Sequence, residues 1–315
     1  MQEIIEYDNL SYVFSSKWGT FGTEEGQLKY PCGVAVDLSG NVFVADIGNN
    51  RIQKFTSSGN FIKTWGGLGS GDSQFNYPNG IAVDSSGNVY VSDRLNHRIK
   101  KFRNDGTFIR AWGTLGSADE QYYWPSGVAA DLSGNVFVAD LLNCRILKFR
   151  NDGTVLTNWG TQGTAVSQLK FPMDVAVNSS GNVYVTDTSN HRIQEFSNYG
   201  TYIRSWGGFG SGDGQFNYPS GVAVDSSGNV FVSDVHVVSS DGVSEGGNGR
   251  IQKFKGNGIF IIKWGSRGSA DGQFIAPHGI AIKSAKVSIL EERVFVTDTG
   301  NNRIQVFKPK LVVNP

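Results

Sequence analysis

Short apolar runs alternate with Gly-, Asn- and Asp-rich stretches along almost the whole chain. One unit reads Gly80-Ile81-Ala82-Val83-Asp84, a turn at Ser85-Ser86-Gly87-Asn88, then Val89-Tyr90-Val91-Ser92-Asp93. It continues with Arg98-Ile99-Lys100-Lys101-Phe102, a turn at Asp105-Gly106, and Phe108-Ile109-Arg110-Ala111-Trp112-Gly113. Runs of this length, rich in Val, Ile and Phe and bounded by turn residues, predict strands, and nothing reads as a long amphipathic helix. The pattern begins again at Pro31, Pro78, Pro125, Pro172, Pro219 and Pro277, at spacings of 47, 47, 47, 47 and 58 residues. Four strands per repeat, here named a to d, describe one blade of a propeller. The expected fold is all-β: a six-bladed β-propeller with four antiparallel strands per blade.

The two ends of the chain complete this picture. Phe14-Ser15-Ser16-Lys17-Trp18 matches the d strand Phe61–Trp65, yet it precedes the first repeat proline. The last repeat stops at Phe307, after its c strand. The N-terminal strand is therefore expected to complete the last blade, which removes the open edges that invite association. This places a short tail at 1–11, one propeller domain at 12–307 and a tail at 308–315. One tryptophan per repeat (Trp18, Trp65, Trp112, Trp159, Trp206, Trp264) is placed to fill the seams between blades.

The motifs Pro-x-Gly-Val-Ala-Val-Asp, Gly-Asn-Val-Phe-Val-x-Asp and Asn-x-Arg-Ile-Gln-x-Phe resemble the NHL repeat. The resemblance runs from about residue 12 to 307 and recurs six times. WD40 signatures are absent, since glycine follows each of these tryptophans. NHL propellers include protein-interaction domains, RNA-binding domains, sensor domains of receptor kinases and a metal-dependent lyase. Related six-bladed propellers include calcium-dependent lactonases. The resemblance thus implies the fold and leaves the function open.

Features present in every blade are expected to serve the scaffold, because one asymmetric ligand needs only one copy of a site. Asp46/Asn49/Arg51 recurs as Asp93/Asn96/Arg98, Asp140/Asn143/Arg145, Asp187/Asn190/Arg192, Asp234/Asn248/Arg250 and Asp298/Asn301/Arg303. These sets, and the glutamines Gln27, Gln74, Gln121, Gln168, Gln215 and Gln273, read as hydrogen bonding within loops. Recognition should sit where the repeats differ. The residue after each repeat proline reads Cys32, Asn79, Ser126, Met173, Ser220 and His278, and blade four replaces the next glycine with Asp174. The resemblance places these residues around the channel mouth. With Arg94, Leu141 and Leu142 of the b–c loops they form the candidate ligand site, the leucines being expected to be exposed. The longest b–c loop, Val235–Gly249, adds His236 as a further candidate. The residues before the prolines, Tyr30, Tyr77, Trp124, Phe171, Tyr218 and Ala276, are expected to pack the loops between blades.

No cofactor is expected from these residues. The four histidines are scattered over the repeats, so the lyase's three-histidine set cannot be carried onto them. Calcium held by Asp174, Asn79 and loop carbonyls is the one metal alternative. No Ser-His-Asp order, phosphate loop or paired carboxylates stand out. The 28 Lys and Arg residues balance 28 Asp and Glu, so net charge gives no reason to expect a nucleic acid or an anionic membrane. The loop-rich face carries Glu24, Glu25, Asp72, Asp119, Glu120, Asp213 and Asp271 against Lys29, Lys170 and Arg267, which argues against RNA. The opposite edge, by the c–d turns, carries Lys54, Lys101, Arg103, Lys148, Arg150, Lys253 and Lys255. Met1 to Leu10 has no apolar core of a signal peptide, no apolar run reaches the roughly 20 residues of a spanning helix, and two cysteines make no disulfide framework. The compartment stays open. The expected protein is a monomeric, non-enzymatic binding module for a protein, peptide or small ligand. The alternatives are a metal-assisted lyase or lactonase and an RNA-binding propeller.

Overall fold

The computed structural model describes residues 10–235, 247–284 and 288–312. It contains six sheets of four antiparallel strands, and the a strands of neighbouring blades lie side by side in a closed ring around the axis. The first a strand is Pro31–Val36, and its d strand ends at Gly66. Blade six takes a, b and c from Pro277–Lys283, Arg293–Asp298 and Arg303–Leu311, and its d strand is Leu10–Trp18. The closing pair extends from Leu10 opposite Leu311 to Trp18 opposite Ile304, so it reaches past the bounds at 12 and 307 that the repeat suggests.

Each blade is sealed to the next by its tryptophan. Trp65 lies 6.1 Å from Phe102 on the c strand of the following blade. Its ring also covers Gly106 in that blade's c–d turn, where an added Cβ would come within 2.8 Å of the indole. Gly106 has φ +83°, so glycine is needed there both for the turn and for the close approach. Blade six has no c–d turn, because its c and d strands come from opposite ends of the chain. Tyr12 takes the turn's place, stacking on Trp264 at 4.5 Å and 16°. Its hydroxyl donates to Glu292 at 2.5 Å and accepts from Lys253 at 2.9 Å, while Lys253 pairs with Asp225 at 3.2 Å. Burial raises the pKa of the Tyr12 phenol well above its ordinary value.

The basic c–d edge read from the sequence is largely used up inside the fold. Lys148 and Lys253 are buried, and Lys54 and Lys101 are half-buried. Lys54 and Lys148 donate to Asn104 and Asn198 in the next blade's c–d turn, and Lys101 donates to the Asn151 carbonyl at 3.1 Å. These ammonium groups tie blades together. Arg103, Arg150 and Lys255 are left exposed.

Removing residues 1–19 takes away the closing strand with Tyr12 and Trp18. Loss of one fully buried large aromatic side chain costs roughly 3–5 kcal/mol, and here the buried Tyr12 and the half-buried Trp18 go together. The truncated protein is expected to melt well below the full chain and to associate through the bare edge of the last c strand. Calorimetry and size-exclusion chromatography check this; an unchanged melting temperature in a monomer would refute the closure.

Candidate functional site

The loop-rich face is organised by the recurrent Asp, Asn and Arg. In blade one, Asp46 has no solvent exposure, and its Oδ2 accepts from Arg51 Nε at 2.7 Å and Asn49 Nδ2 at 2.9 Å. Its Oδ1 accepts the Lys29 amide at 2.7 Å. The Arg51 guanidinium continues onto the carbonyls of Thr23, Glu24 and Gln27. One carboxylate thereby joins the b–c loop to the inter-blade loop and puts both on the same face. The same bonds recur in blade three, where Arg145 reaches Asp140 at 2.9 Å and the carbonyls of Ser117, Ala118 and Gln121. Gln27 and its equivalent Gln121 accept amides of their own loops. His97 and His191 belong to this scaffold: each sits at positive φ, and its Nδ1 accepts the amide of Trp124 or Tyr218.

The residues after the repeat prolines do ring the channel, but deeper than a solvent-exposed rim. Cys32, Asn79, Ser126 and Ser220 are buried, and Met173 and His278 are half-buried. Neighbours in the ring touch: Ser126 Oγ donates to Asn79 Oδ1 at 3.1 Å and approaches Met173 Sδ at 3.3 Å. Ser220 Oγ has no hydrogen-bond partner. A cavity of about 60 Å³ opens inside the ring, with Asn79, Met173, Asp174 and His278 in its wall. Burial, reinforced by the charge of Arg94, pushes the His278 imidazole down to about 4, which leaves it neutral near pH 7.

Asp174 breaks the six-fold pattern at a place where space is short. A Cβ on Gly33, Gly80, Gly221 or Gly279 would lie 2.0–2.5 Å from a carbonyl oxygen of the next blade. Asp174 carries a side chain there, and Gly127 of the preceding blade leaves room for its carboxylate. Oδ1 accepts the Val175 amide at 2.9 Å, and Oδ2 accepts the Val222 amide of blade five at 3.0 Å. Both oxygens face N–H donors. Burial outweighs these bonds and raises the carboxyl to about 7.

The first residues of the b–c loops form a second ring: Ile47, Arg94, Leu141, Thr188, Val235 and Thr299. Thr188 and Thr299 donate to the Pro219 and Pro31 carbonyls, so this ring rests on the a strands. Leu141 is buried in it and Leu142 is half-buried, which corrects the expectation of two exposed leucines. Arg94 is the ring's one charged member. Its guanidinium lies 5.1 Å from the Trp124 ring and makes no ion pair among the described residues. His236 and most of the long blade-five loop lie outside the described residues, but the loop's end keeps the scaffold bonds: Asn248 and Arg250 reach Asp234 at 2.8 and 2.9 Å.

The aromatics before the prolines also differ from expectation. Tyr30, Tyr77 and Phe171 are exposed, and Trp124 and Tyr218 are half-buried. Their φ values of 51–61° turn them out of the inter-blade packing onto the face. Further out, Phe21, Leu68, Leu115 and Phe209 occupy one repeat position and stand 57–70% exposed. Sequence reasoning missed these four. The signal was an apolar residue inside a polar, glycine-rich loop, as in Gly67-Leu68-Gly69 and Gly208-Phe209-Gly210.

Two substitutions separate scaffold from mouth. Arg145→Ala leaves Asp140 buried without its partner and is expected to cost about 3–5 kcal/mol in urea denaturation. Asp174 has a folded pKa above its unfolded value, so its contribution to stability is complete below about pH 4 and is lost as pH rises through about 7. Asp174→Asn should remove that part of the pH dependence. Melting temperatures of both proteins from pH 4 to 9 check this; parallel profiles would show that Asp174 titrates normally.

Comparisons with known proteins place this geometry. The NHL repeat family model matches residues 28–55, 75–102, 169–196 and 216–237. The B-box type zinc finger protein ncl-1 of Caenorhabditis elegans is 47% identical over 49 residues, 16% of this chain and 6% of that protein. Over 49 residues the Drosophila melanogaster protein brain tumor is 45% identical, covering 16% of this chain and 5% of its own length. The matched region thus spans a small part of these relatives. Among solved structures, a Bacteroides thetaiotaomicron protein of unknown function superposes with a TM-score of 0.71 at 14% identity, covering 96% of this chain and 76% of that one. At such identity the likeness concerns the fold. With four-stranded blades throughout and four segments that match the family model, the chain is a six-bladed β-propeller that carries NHL repeats.

Proposed function

We propose that this propeller is a binding module whose loop-rich face docks a protein partner. The observation that carries the reading is the set of large apolar side chains standing in water on that face. Phe21 is 62% exposed, Leu68 66% and Phe209 70%, at one repeated position, with Tyr30 and Tyr77 about half-exposed nearer the axis. Several large apolar side chains exposed on one face among polar residues are a feature of protein contact sites. The rim is acidic: Glu24, Glu25, Asp72, Asp119 and Asp213 are exposed in the same loops. Such a face suits a partner with an apolar centre and basic margins, and it disfavours a phosphate backbone. The NHL relatives support a role in interaction, and the rigid Asp–Arg scaffold holds the face ready at little ordering cost.

Photo-crosslinking amino acids at Leu68 and Phe209, compared with Arg103 and Lys255 on the opposite edge, test this. Crosslinks to a partner are expected only from the first pair. Leu68→Ser with Phe209→Ser should abolish association, with a melting temperature within about 1–2 °C of the parent, since both side chains are exposed. Crosslinks confined to Arg103 and Lys255 would overturn the reading.

A further inference from the structure

We infer that the channel mouth is a carboxylate-binding site, with Arg94 as its cation and Trp124 as the support that holds it. The inference rests on the reading of the loop-rich face as a binding surface and adds a ligand chemistry to it.

Arg94 differs from its five counterparts in kind. Ile47, Leu141, Thr188, Val235 and Thr299 are neutral, and the two threonines spend their hydroxyls on neighbouring carbonyls. Arg94 is half-buried, and its side chain has neither a salt bridge nor a hydrogen bond among the described residues. Every other repeat arginine at the mouth has such a partner, as Arg98 does in Asp93 at 2.8 Å. What Arg94 does have is a support. Its guanidinium lies over Trp124 at 5.1 Å, and its backbone amide donates to the Tyr77 carbonyl. A stacked planar guanidinium keeps its outer edge free for two parallel hydrogen bonds, the geometry that fits a carboxylate.

The surroundings supply a neutral donor, and Asp174 in the adjacent cavity wall, with its carboxyl raised to about 7, is only partly ionised near pH 7. Trp124, which lies under Arg94, directly precedes Pro125 and the ring residue Ser126, so Arg94 stands at the edge of the inner ring, and its charge acts on both Cys32 and His278. His278 is neutral there and keeps one ring N–H to donate. Asp174, the one carboxyl group in the cavity wall, has both oxygens turned onto the amides of Val175 and Val222. The adjacent cavity is lined by Asn79, Met173, Asp174 and His278 and not by Arg94, so the carboxylate is placed at the mouth, on the guanidinium, rather than inside the cavity. The body of the ligand would stay outside, against Trp124 and the exposed Tyr77 ring. A terminal carboxylate on an apolar or aromatic group meets these demands. It could belong to a free organic acid or to the C-terminus of a peptide.

Benzoate serves as the probe, at constant ionic strength, with benzamide as its uncharged counterpart. The protein has seven tryptophans, and 5-fluorotryptophan labelling with Trp124→Phe assigns the resonance of Trp124. Benzoate should shift that resonance saturably, and benzamide should leave it in place. Arg94→Gln should weaken benzoate at least tenfold and Arg94→Lys less, with melting temperatures recorded for each variant. A short peptide ending in phenylalanine, as acid and as amide, distinguishes the sources. An acid peptide that binds more tightly than benzoate points to a chain terminus, and one that binds more weakly points to a free acid. Equal binding of benzoate by Arg94→Gln, equal binding of benzamide, or no saturable shift at all overturns the inference. Crosslinking from Leu68 and Phe209 is read separately, so loss of the carboxylate site and loss of the protein-docking face would be told apart.

Discussion

A buried carboxylate in each blade holds the working face of this molecule. Asp46 and its equivalents have no exposure, yet each takes an arginine, an asparagine and a backbone amide from two different loops. A desolvated charge is tolerable only with such a full set of partners, and removing one partner strands the rest. The bonds therefore act together as a clamp that joins the inter-blade loop to the b–c loop. Without it, the glycine-rich inter-blade loops and the short b–c loops would have little to order them, and no surface on them could be specific.

The seams obey a different rule. Tryptophan over a turn glycine is a matter of shape, repeated from blade to blade as long as a c–d turn exists to receive it. At blade six the turn is replaced by chain ends, and the fold answers with Tyr12 and a buried cluster of Lys253, Asp225 and Glu292. At other seams Lys54, Lys101 and Lys148 reach the next blade's turn, whereas here Lys253 meets a tyrosine hydroxyl and carboxylates. That chemistry distinguishes the correct partner strand from any other strand with the same hydrophobic alternation, a case for specificity gained from buried polar groups.

Symmetry breaking at the axis is chemical. The b and c strands repeat nearly residue for residue, whereas the two rings at the mouth mix Arg94, Leu141, Thr188, Asp174, Ser220 and His278. The inner a strands approach so closely that glycine is needed in most blades, and the single Asp174 is accommodated by amides of two blades and by Gly127. A side chain that fits only in one place, with its pKa moved by burial, gives the channel a distinct polar wall on one side. The guanidinium of Arg94 gives it a cation at the entrance.

The sequence by itself determined the number of blades, the strand order and the closure by Phe14–Trp18, because strand period, turn residues and repeat spacing are local properties of the chain. It also separated scaffold from candidate site, since six-fold recurrence is countable without coordinates. What it did not determine was burial. Lys148 and Leu141 read as surface residues and are buried, while Tyr30, Phe171 and Phe209 read as packing residues or went unnoticed and stand in water. Nor could it show that Arg94 has Trp124 beneath it and no ion-pair partner among the described residues, or that both oxygens of Asp174 are taken by amides. Those outcomes depend on how one blade meets the next, and on the positive φ that turns a loop side chain outward. They are contacts between residues 27 to 50 positions apart in the chain, set by the ring's closure rather than by any local pattern.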